Sequence, residues 1–369
     1  MIGAIHFGDC RDTLRAMVAA GIQVQTCVTS PPYFGLRDYG QEGQIGLEET
    51  PEQFISQLVE VFRCVRDVLA DDGTLWVNIG DSYAGSWGAQ GRSGGNRDGK
   101  HAYNESISAT QIDAAPKKGS RTGAIRVEGV KPKDLYGIPW MLAFALCADG
   151  WYLRQEIIWH KPNPMPESVT DRCTKAHESL FLLSKSPQYY FDSEAIKEPV
   201  AGDPDAPRNR WDTKTYEVPG QKPQKRVSRS GNLARKPGSA RGCPEGTGKH
   251  VCGSVPWEGS TRNRRSVWTI ATKPYKGAHF AVFPPDLIEP CILAGSRQGD
   301  VILDPFMGSG TTAAVAVSTG RRFIGCELNP AYKPLQDERI AGAQAVLAEA
   351  EAAIAEAARQ RDLFEQEVA

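Results

Sequence analysis

The chain contains no apolar run near the roughly 18 residues that a membrane-spanning helix requires, although 40% of its 369 residues are hydrophobic. It therefore reads as a soluble globular protein with a core of ordinary size. Cysteine is sparse: nine residues, odd in number and scattered, with no Cys-x-x-Cys pair. That argues against a disulfide scaffold and for a reducing cytoplasm. The start, Met1-Ile2-Gly3-Ala4-Ile5-His6, lacks the basic residues and apolar stretch of a secretion signal, which points the same way. Net charge is almost absent, at -1 with 24% charged residues, and taken alone gives no reason to expect a polyanionic partner. No internal repeat is visible.

The near-zero total hides an uneven distribution. Residues 201–270 hold 14 Lys and Arg against 6 Asp and Glu, whereas from Asp337 onward 3 basic residues face 8 acidic ones. The first of these segments is built to meet a polyanion, with a solvated linker as the plain alternative. The acidic surplus of the second is most simply a solvated face of an Ala-rich helix.

Periodicity predicts an α/β architecture. Strands are expected at Ala4 to Phe7, Val24 to Thr29, Thr74 to Ile79, Leu153 to Trp159, Ser179 to Ser184, Ser266 to Thr269, Asp300 to Asp304 and Arg322 to Glu327. Helices are expected from Asp9 to Ala20, Pro51 to Ala70, Pro139 to Asp149, Pro285 to Ala294 and after Gly310 to Thr319. The second helix carries a capping box of Thr50 and Gln53, Pro51 at its first position, and Phe54, Leu58, Val61, Phe62, Val65 and Leu69 on one face, so that face packs on a sheet. Residues 84–133, rich in Gly, Ser, Asn and Lys, read as a mobile loop, and 200–264 as an irregular basic segment.

Two constellations carry chemistry. In Val301 to Ala313 an apolar strand ends in Asp304, followed by Gly308-Ser309-Gly310 opening a helix, with Glu327 closing the next strand. Glycines let a backbone approach a ligand, and the run matches the G-x-G-x-x-A pattern of nucleotide sites, Glu327 standing where a ribose is held; a structural turn is the plain alternative. Only one strand and one helix follow, so the N-terminal half must complete the sheet and the element order is circularly permuted. The second constellation, Thr29-Ser30-Pro31-Pro32-Tyr33, follows a strand directly. Two prolines impose an extended backbone without donors, presenting carbonyls and the Ser30 hydroxyl as acceptors beside the face of Tyr33. A planar ligand with an amino group would fit, and so would an ordinary tight loop.

Thr29 to Tyr33 followed by Asp304 to Thr312 resembles the S-adenosylmethionine-dependent amino-methyltransferases of DNA, the N4-cytosine/N6-adenine family, in the permuted beta arrangement where the catalytic motif comes first. His6-Phe7-Gly8-Asp9-Cys10 resembles the element that holds the cofactor adenine, Glu156 to Pro166 the lining of the target-base pocket, and Ser266 to Thr269 with His279 to Pro284 the element that precedes the cofactor turn and closes over its methionine. The resemblance implies a Rossmann-like methyltransferase fold in three parts: 1–199 with the catalytic motif, 200–264 as an inserted target-recognition region, and 265–369 with the cofactor turn and C-terminal helix. It also implies a residue assignment. Asp304, Phe306, Gly308, Gly310 and Thr311 surround the cofactor methionine, Glu327 accepts from the ribose hydroxyls and Asp9 from the adenine amine. Ser30, Pro31, Pro32 and Tyr33 carry the chemistry on a base swung out of duplex DNA, and Arg226, Arg229, Arg235 and Lys236 meet phosphates.

Ser ahead of Pro-Pro-Tyr is commoner with cytosine in the resembling enzymes and Asp with adenine, so cytosine N4 is expected and adenine N6 is the alternative. A carbon-5 cytosine enzyme would need a thiolate, but Pro290-Cys291 lies in an apolar helix pattern and reads as core. Cys243, His250 and Cys252 fit no common zinc spacing, and no metal is expected. A nicotinamide-dependent oxidoreductase leaves Ser30 to Tyr33 and the basic segment unexplained, and a non-enzymatic nucleic-acid-binding protein would not need the cofactor turn. A protein or RNA methyltransferase stays open, with the permuted order and long basic insertion favouring DNA. A nuclease partner acting on the same site and a homodimer stay open as well.

Overall fold

The computed structural model describes residues 1–84 apart from 37 and 39, 130–199 apart from 132 and 168, 261–272, and 283–368. In chain order its elements are β1 (Ala4–Phe7), α1 (Cys10–Ala19), β2 (Val24–Thr29), α2 (Pro51–Val68), β3 (Leu69–Ile79), α3 (Ile138–Ala148), β4 (Tyr152–His160), β5 (His177–Ser184), β6 (Glu198–Pro199), β7 (Thr261–Arg262), β8 (Val267–Thr269), α4 (Pro285–Gly295), β9 (Val301–Asp304), α5 (Thr311–Ser318), β10 (Arg322–Glu327), a short 3-10 turn (Pro330–Tyr332) and α6 (Lys333–Val368). Among the described residues no helix is long and apolar enough to cross a membrane. The expected loop lies almost wholly outside the described residues, as does most of the basic segment.

Eight strands form one sheet in the order β1-β10-β9-β2-β3-β5-β4-β8. From β1 to β3 all neighbours are parallel, β5 is antiparallel to both β3 and β4, and β8 is parallel to β4. Thus the two last strands of the chain, β9 and β10, lie between two of its first, β1 and β2, which is the permuted order expected.

Buried on both faces, the central strands send apolar side chains to either side. Cys27, Leu75, Val77, Leu303 and Cys326 face one cluster with Leu14, Phe54, Leu58, Phe62, Leu142 and Leu146 of α1, α2 and α3. Their neighbours Val28, Trp76 and Ile302 face the other, with Leu287, Cys291, Ile292, Ala313 and Ala316 of α4 and α5. Each large side chain so buried stabilises the fold by about 1.5–3 kcal/mol relative to exposure.

Local details depart from the sequence expectation in two places. Helix α2 ends at Val68, because Leu69 already has extended backbone and pairs with Val24. The register then jumps to Thr26 opposite Thr74, so the intervening residues form a bulge rather than a loop. The capping box is displaced by one residue: the Gln53 amide donates to Thr50 Oγ1 at 3.2 Å, but the Gln53 side chain accepts from Glu49 N and not from Thr50 N.

By contact density the chain divides into two units, Met1–Ile196 with Asn263–Ala369, and Lys197–Arg262. What is described of the second is the β6–β7 pair, closed by an Arg262–Glu198 ion pair at 2.8 Å.

Candidate active site

Strands β9 and β2 are neighbours, yet the chain leaves β9 toward β10 and β2 toward β3. Such a reversal opens a crevice at the carboxyl ends of the two strands. Thr29 ends β2 and Asp304 ends β9, and the Thr29 hydroxyl donates to Asp304 Oδ1 at 2.6 Å. Thr312 donates to Asp304 Oδ2 at 2.6 Å, and the Phe306 amide to Oδ1 at 3.0 Å. Burial pushes the Asp304 carboxyl up to about 6, against these three donors, which pull it down. Only 1% exposed, this side chain clasps the end of β2, the start of the glycine turn and α5 together. Its two carboxylate oxygens are met by these three protein donors.

The turn itself has Gly308 at φ 55 and Gly310 at φ 84, left-handed values that only glycine adopts without strain. A Cβ on Gly310 would also lie 3.3 Å from the Gln336 backbone of α6. Gly308 N donates to Glu327 Oε2 at 2.7 Å and Asn329 N to Glu327 Oε1 at 2.8 Å. Burial pushes the Glu327 carboxyl up to about 7, opposed by those amides. Phe7 pairs with Glu327 in the β1–β10 register, so Asp9 follows at the same edge. There it caps α1, accepting from Arg11 N at 2.9 Å and pairing with the Arg11 guanidinium at 2.6 Å. That guanidinium holds the Asp9 carboxyl below its ordinary value despite partial burial. Asp9, Glu327, Asp304 and the Gly308–Thr311 turn are thus brought together.

On the other side of the crevice Pro31 is buried, with Ser30, Pro32 and Tyr33 half-buried. The Tyr33 hydroxyl donates to Glu178 Oε2 at 2.7 Å and reaches Asn78 Oδ1 at 3.3 Å. Glu178 pairs with Lys161, whose ammonium stands 4.2 Å from the centroid of the Trp159 ring. Strand β8 lies along the expected pocket segment, with Trp159 Nε1 donating to Ile270 O at 2.8 Å. Just past β3, Asp81 accepts from the Gly137 and Ile138 amides that open α3, and burial raises its carboxyl. Asn78, Asp81 and Glu178 escape sequence reasoning; for Glu178 the available signal is a His-Glu pair immediately ahead of an apolar strand.

The C-terminal helix supports the turn from behind, which a purely solvated face would not do. Gln336 donates to Gly308 O at 2.7 Å, and Arg339 donates to Ser309 Oγ at 2.9 Å and to Thr311 Oγ1. Cys291 is fully buried in α4 with its thiol pushed up by burial, so no thiolate is available there. Arg226, Arg229, Arg235 and Lys236, together with Cys243, His250, Cys252 and His279 to Val282, lie outside the described residues.

Residues 24–338 match the DNA methylase family of N6/N4 methyltransferases. The chain is 42% identical over 335 residues to the type II methyltransferase M.XycI of Xanthomonas campestris pv. cyanopsidis, covering 91% of this chain and 86% of that one. It is 42% identical over 341 residues to the type II methyltransferase M.Cfr9I of Citrobacter freundii, covering 92% and 88%. Among solved structures, the PvuII DNA methyltransferase (cytosine-N4-specific) shares the fold with a TM-score of 0.52 over 92% of this chain and 86% of that one, at 14% identity. The permuted sheet, the clasped pair of motifs at its crevice and the match over most of the chain lead to one conclusion: this protein belongs to the N6/N4 DNA methylase family.

Proposed function

We propose that the protein transfers a methyl group from S-adenosylmethionine to the exocyclic N4 amine of a cytosine swung out of duplex DNA. The observation that carries this reading is the 2.6 Å bond from Thr29 to Asp304, which sets the Ser-Pro-Pro-Tyr segment beside the glycine turn at one crevice. The residues present fit the cofactor. Glu327 has carboxylate lone pairs beyond the two that accept from Gly308 N and Asn329 N, and α5 opens beside it with the favourable end of its dipole.

When bound, S-adenosylmethionine supplies an electrophilic methyl on a sulfonium. The work of the chain is to prepare the amine. Swinging a base out of the stack costs a few kcal/mol, and stacking on Tyr33 would return about 1–3 kcal/mol. The amine lone pair is delocalised into the ring and is a poor nucleophile. Acceptors at the Ser30 hydroxyl and Pro31 carbonyl, gripping the two amine hydrogens, favour a pyramidal nitrogen and stabilise the positive charge that develops on it. Alignment within the crevice supplies much of the remaining acceleration. Ser30 ahead of Pro-Pro-Tyr is what favours cytosine over adenine. The basic excess of residues 201–270 supports a target-recognition role for 200–264. Relatives named type II methyltransferases support a modification role with a nuclease acting on the same site.

The test is digestion of methylated DNA to nucleosides with identification of the product by mass spectrometry. N4-methylcytosine is expected; N6-methyladenine would overturn the base assignment and leave the family standing. Ser30→Ala should slow the single-turnover rate on the order of 100-fold with cofactor affinity retained, and a wild-type rate would remove Ser30 from the chemistry.

A further inference from the structure

A tyrosine that stacks an extruded base is useful only if its ring is held. Two torsions separate the Tyr33 ring from the backbone, and ordering them costs entropy. Two contacts remove that freedom. A Cβ added at Gly80 would lie 2.5 Å from Tyr33 Cε2, so the ring occupies the space that a side chain at position 80 would fill. At the far end the hydroxyl donates to Glu178 at 2.7 Å.

Glu178 is itself fixed. Strand β5 is antiparallel to its neighbours, so its first residues rather than its last reach the carboxyl edge of the parallel strands where the crevice lies. Glu178 sits directly across from Trp159 in the β4–β5 register. It pairs with Lys161, which in turn lies over the Trp159 ring. Its side chain is 16% exposed and that of Lys161 18%. A charged acceptor in such a setting forms a stronger bond than a neutral one. Asn78, 2% exposed and anchored through its amide to Ser179 O at 3.2 Å, stands as the weaker second acceptor at 3.3 Å.

We propose that Glu178, held by Lys161 and Trp159, is the positioning residue that sets the Tyr33 ring for capture of the target base. This rests on the function proposed above. The competing role is an ion pair with Lys161 that merely stabilises the β4–β5 edge, and a double-mutant cycle separates the two. On DNA carrying the methylation site mapped for the wild-type protein, Tyr33→Phe and Glu178→Ala should each slow single-turnover methylation about tenfold, the size of one missing hydrogen bond to a charged group. The double variant should be no slower than the slower single. Glu178→Gln keeps an acceptor oxygen and should return most of the rate. S-adenosylmethionine affinity should stay within about twofold, and the emission of 2-aminopurine at the target position should change alike in Glu178→Ala and Tyr33→Phe. Multiplied losses in the double variant, a wild-type rate for Tyr33→Phe, or Glu178→Gln as slow as Glu178→Ala would each overturn the positioning role. A wild-type chain that methylates no DNA would overturn the function proposed above and this role with it, whereas a wild-type chain that methylates while the two losses multiply would overturn the positioning role alone.

Discussion

Glu327 carries a carboxyl pushed up to about 7 from an ordinary 4.5, and the sign of its pH effects differs between the free and the loaded protein. In the free fold the protonated form is favoured. Its contribution to stability is therefore fully present below the unfolded value and is lost as pH rises through about 7. On the proposal that ribose hydroxyls donate to the ionised carboxylate, cofactor binding runs the other way. Affinity for S-adenosylmethionine should fall by up to about tenfold per pH unit below 7, with proton release on binding, and Glu327→Gln should flatten both trends. Calorimetry in two buffers of different ionisation enthalpy reads this; a pH-independent affinity would remove the ionised carboxylate from the site. At this scale the sequence is informative about residues that act through neighbours in the chain. Gly308, Gly310 and Glu327 were legible because strand, turn and strand follow one another. Thr29 to Asp304 and Tyr33 to Glu178 were not, because each spans a separation that only the folded sheet closes.

Most elements could be read from periodicity, and their type holds throughout the described residues. What periodicity could not show is where packing overrides it. Leu69 continues the apolar stripe of α2 by sequence, but pairing with Val24 draws it into β3. The tail is a similar case: its composition describes a solvated helix, whereas its first turns brace the glycine turn through Gln336 and Arg339. Arg339→Met should therefore lower S-adenosylmethionine affinity about tenfold while circular dichroism shows an unchanged fold. Deletion from Ala350 onward should leave both intact, since Ala350 to Glu356 are exposed and exposed termini tolerate truncation. A weakened affinity in the truncated protein would show that the outer helix also supports the site.

At the scale of the whole molecule, charge is uneven along the chain: residues 201–270 hold 14 Lys and Arg against 6 Asp and Glu, and two of these basic residues, Arg264 and Arg265, belong to the unit of Met1–Ile196 and Asn263–Ala369 that carries the crevice. Reversing charge at Arg226, Arg229, Arg235 and Lys236 should weaken DNA binding. Every phosphate that is no longer neutralised should reduce the slope of log affinity against log salt by ~0.9, with S-adenosylmethionine affinity untouched. Unchanged DNA affinity and slope in a filter-binding salt titration would make that segment a linker.

The strand order also governs how the protein comes into being. With β9 and β10 seated between β1 and β2, strands β1 and β2 leave the ribosome before β9 and β10 and face a gap two strands wide. At about 5–20 residues per second, that gap stays open for roughly tens of seconds while the chain between β2 and β9 is made. During that interval the nascent sheet presents unpaired strand edges, the kind of surface that invites aggregation and chaperone capture. The crevice cannot form earlier, because Asp304 and the glycine turn arrive with the strands that close the gap. Folding and competence to methylate should therefore appear together, and only after β10 has been made.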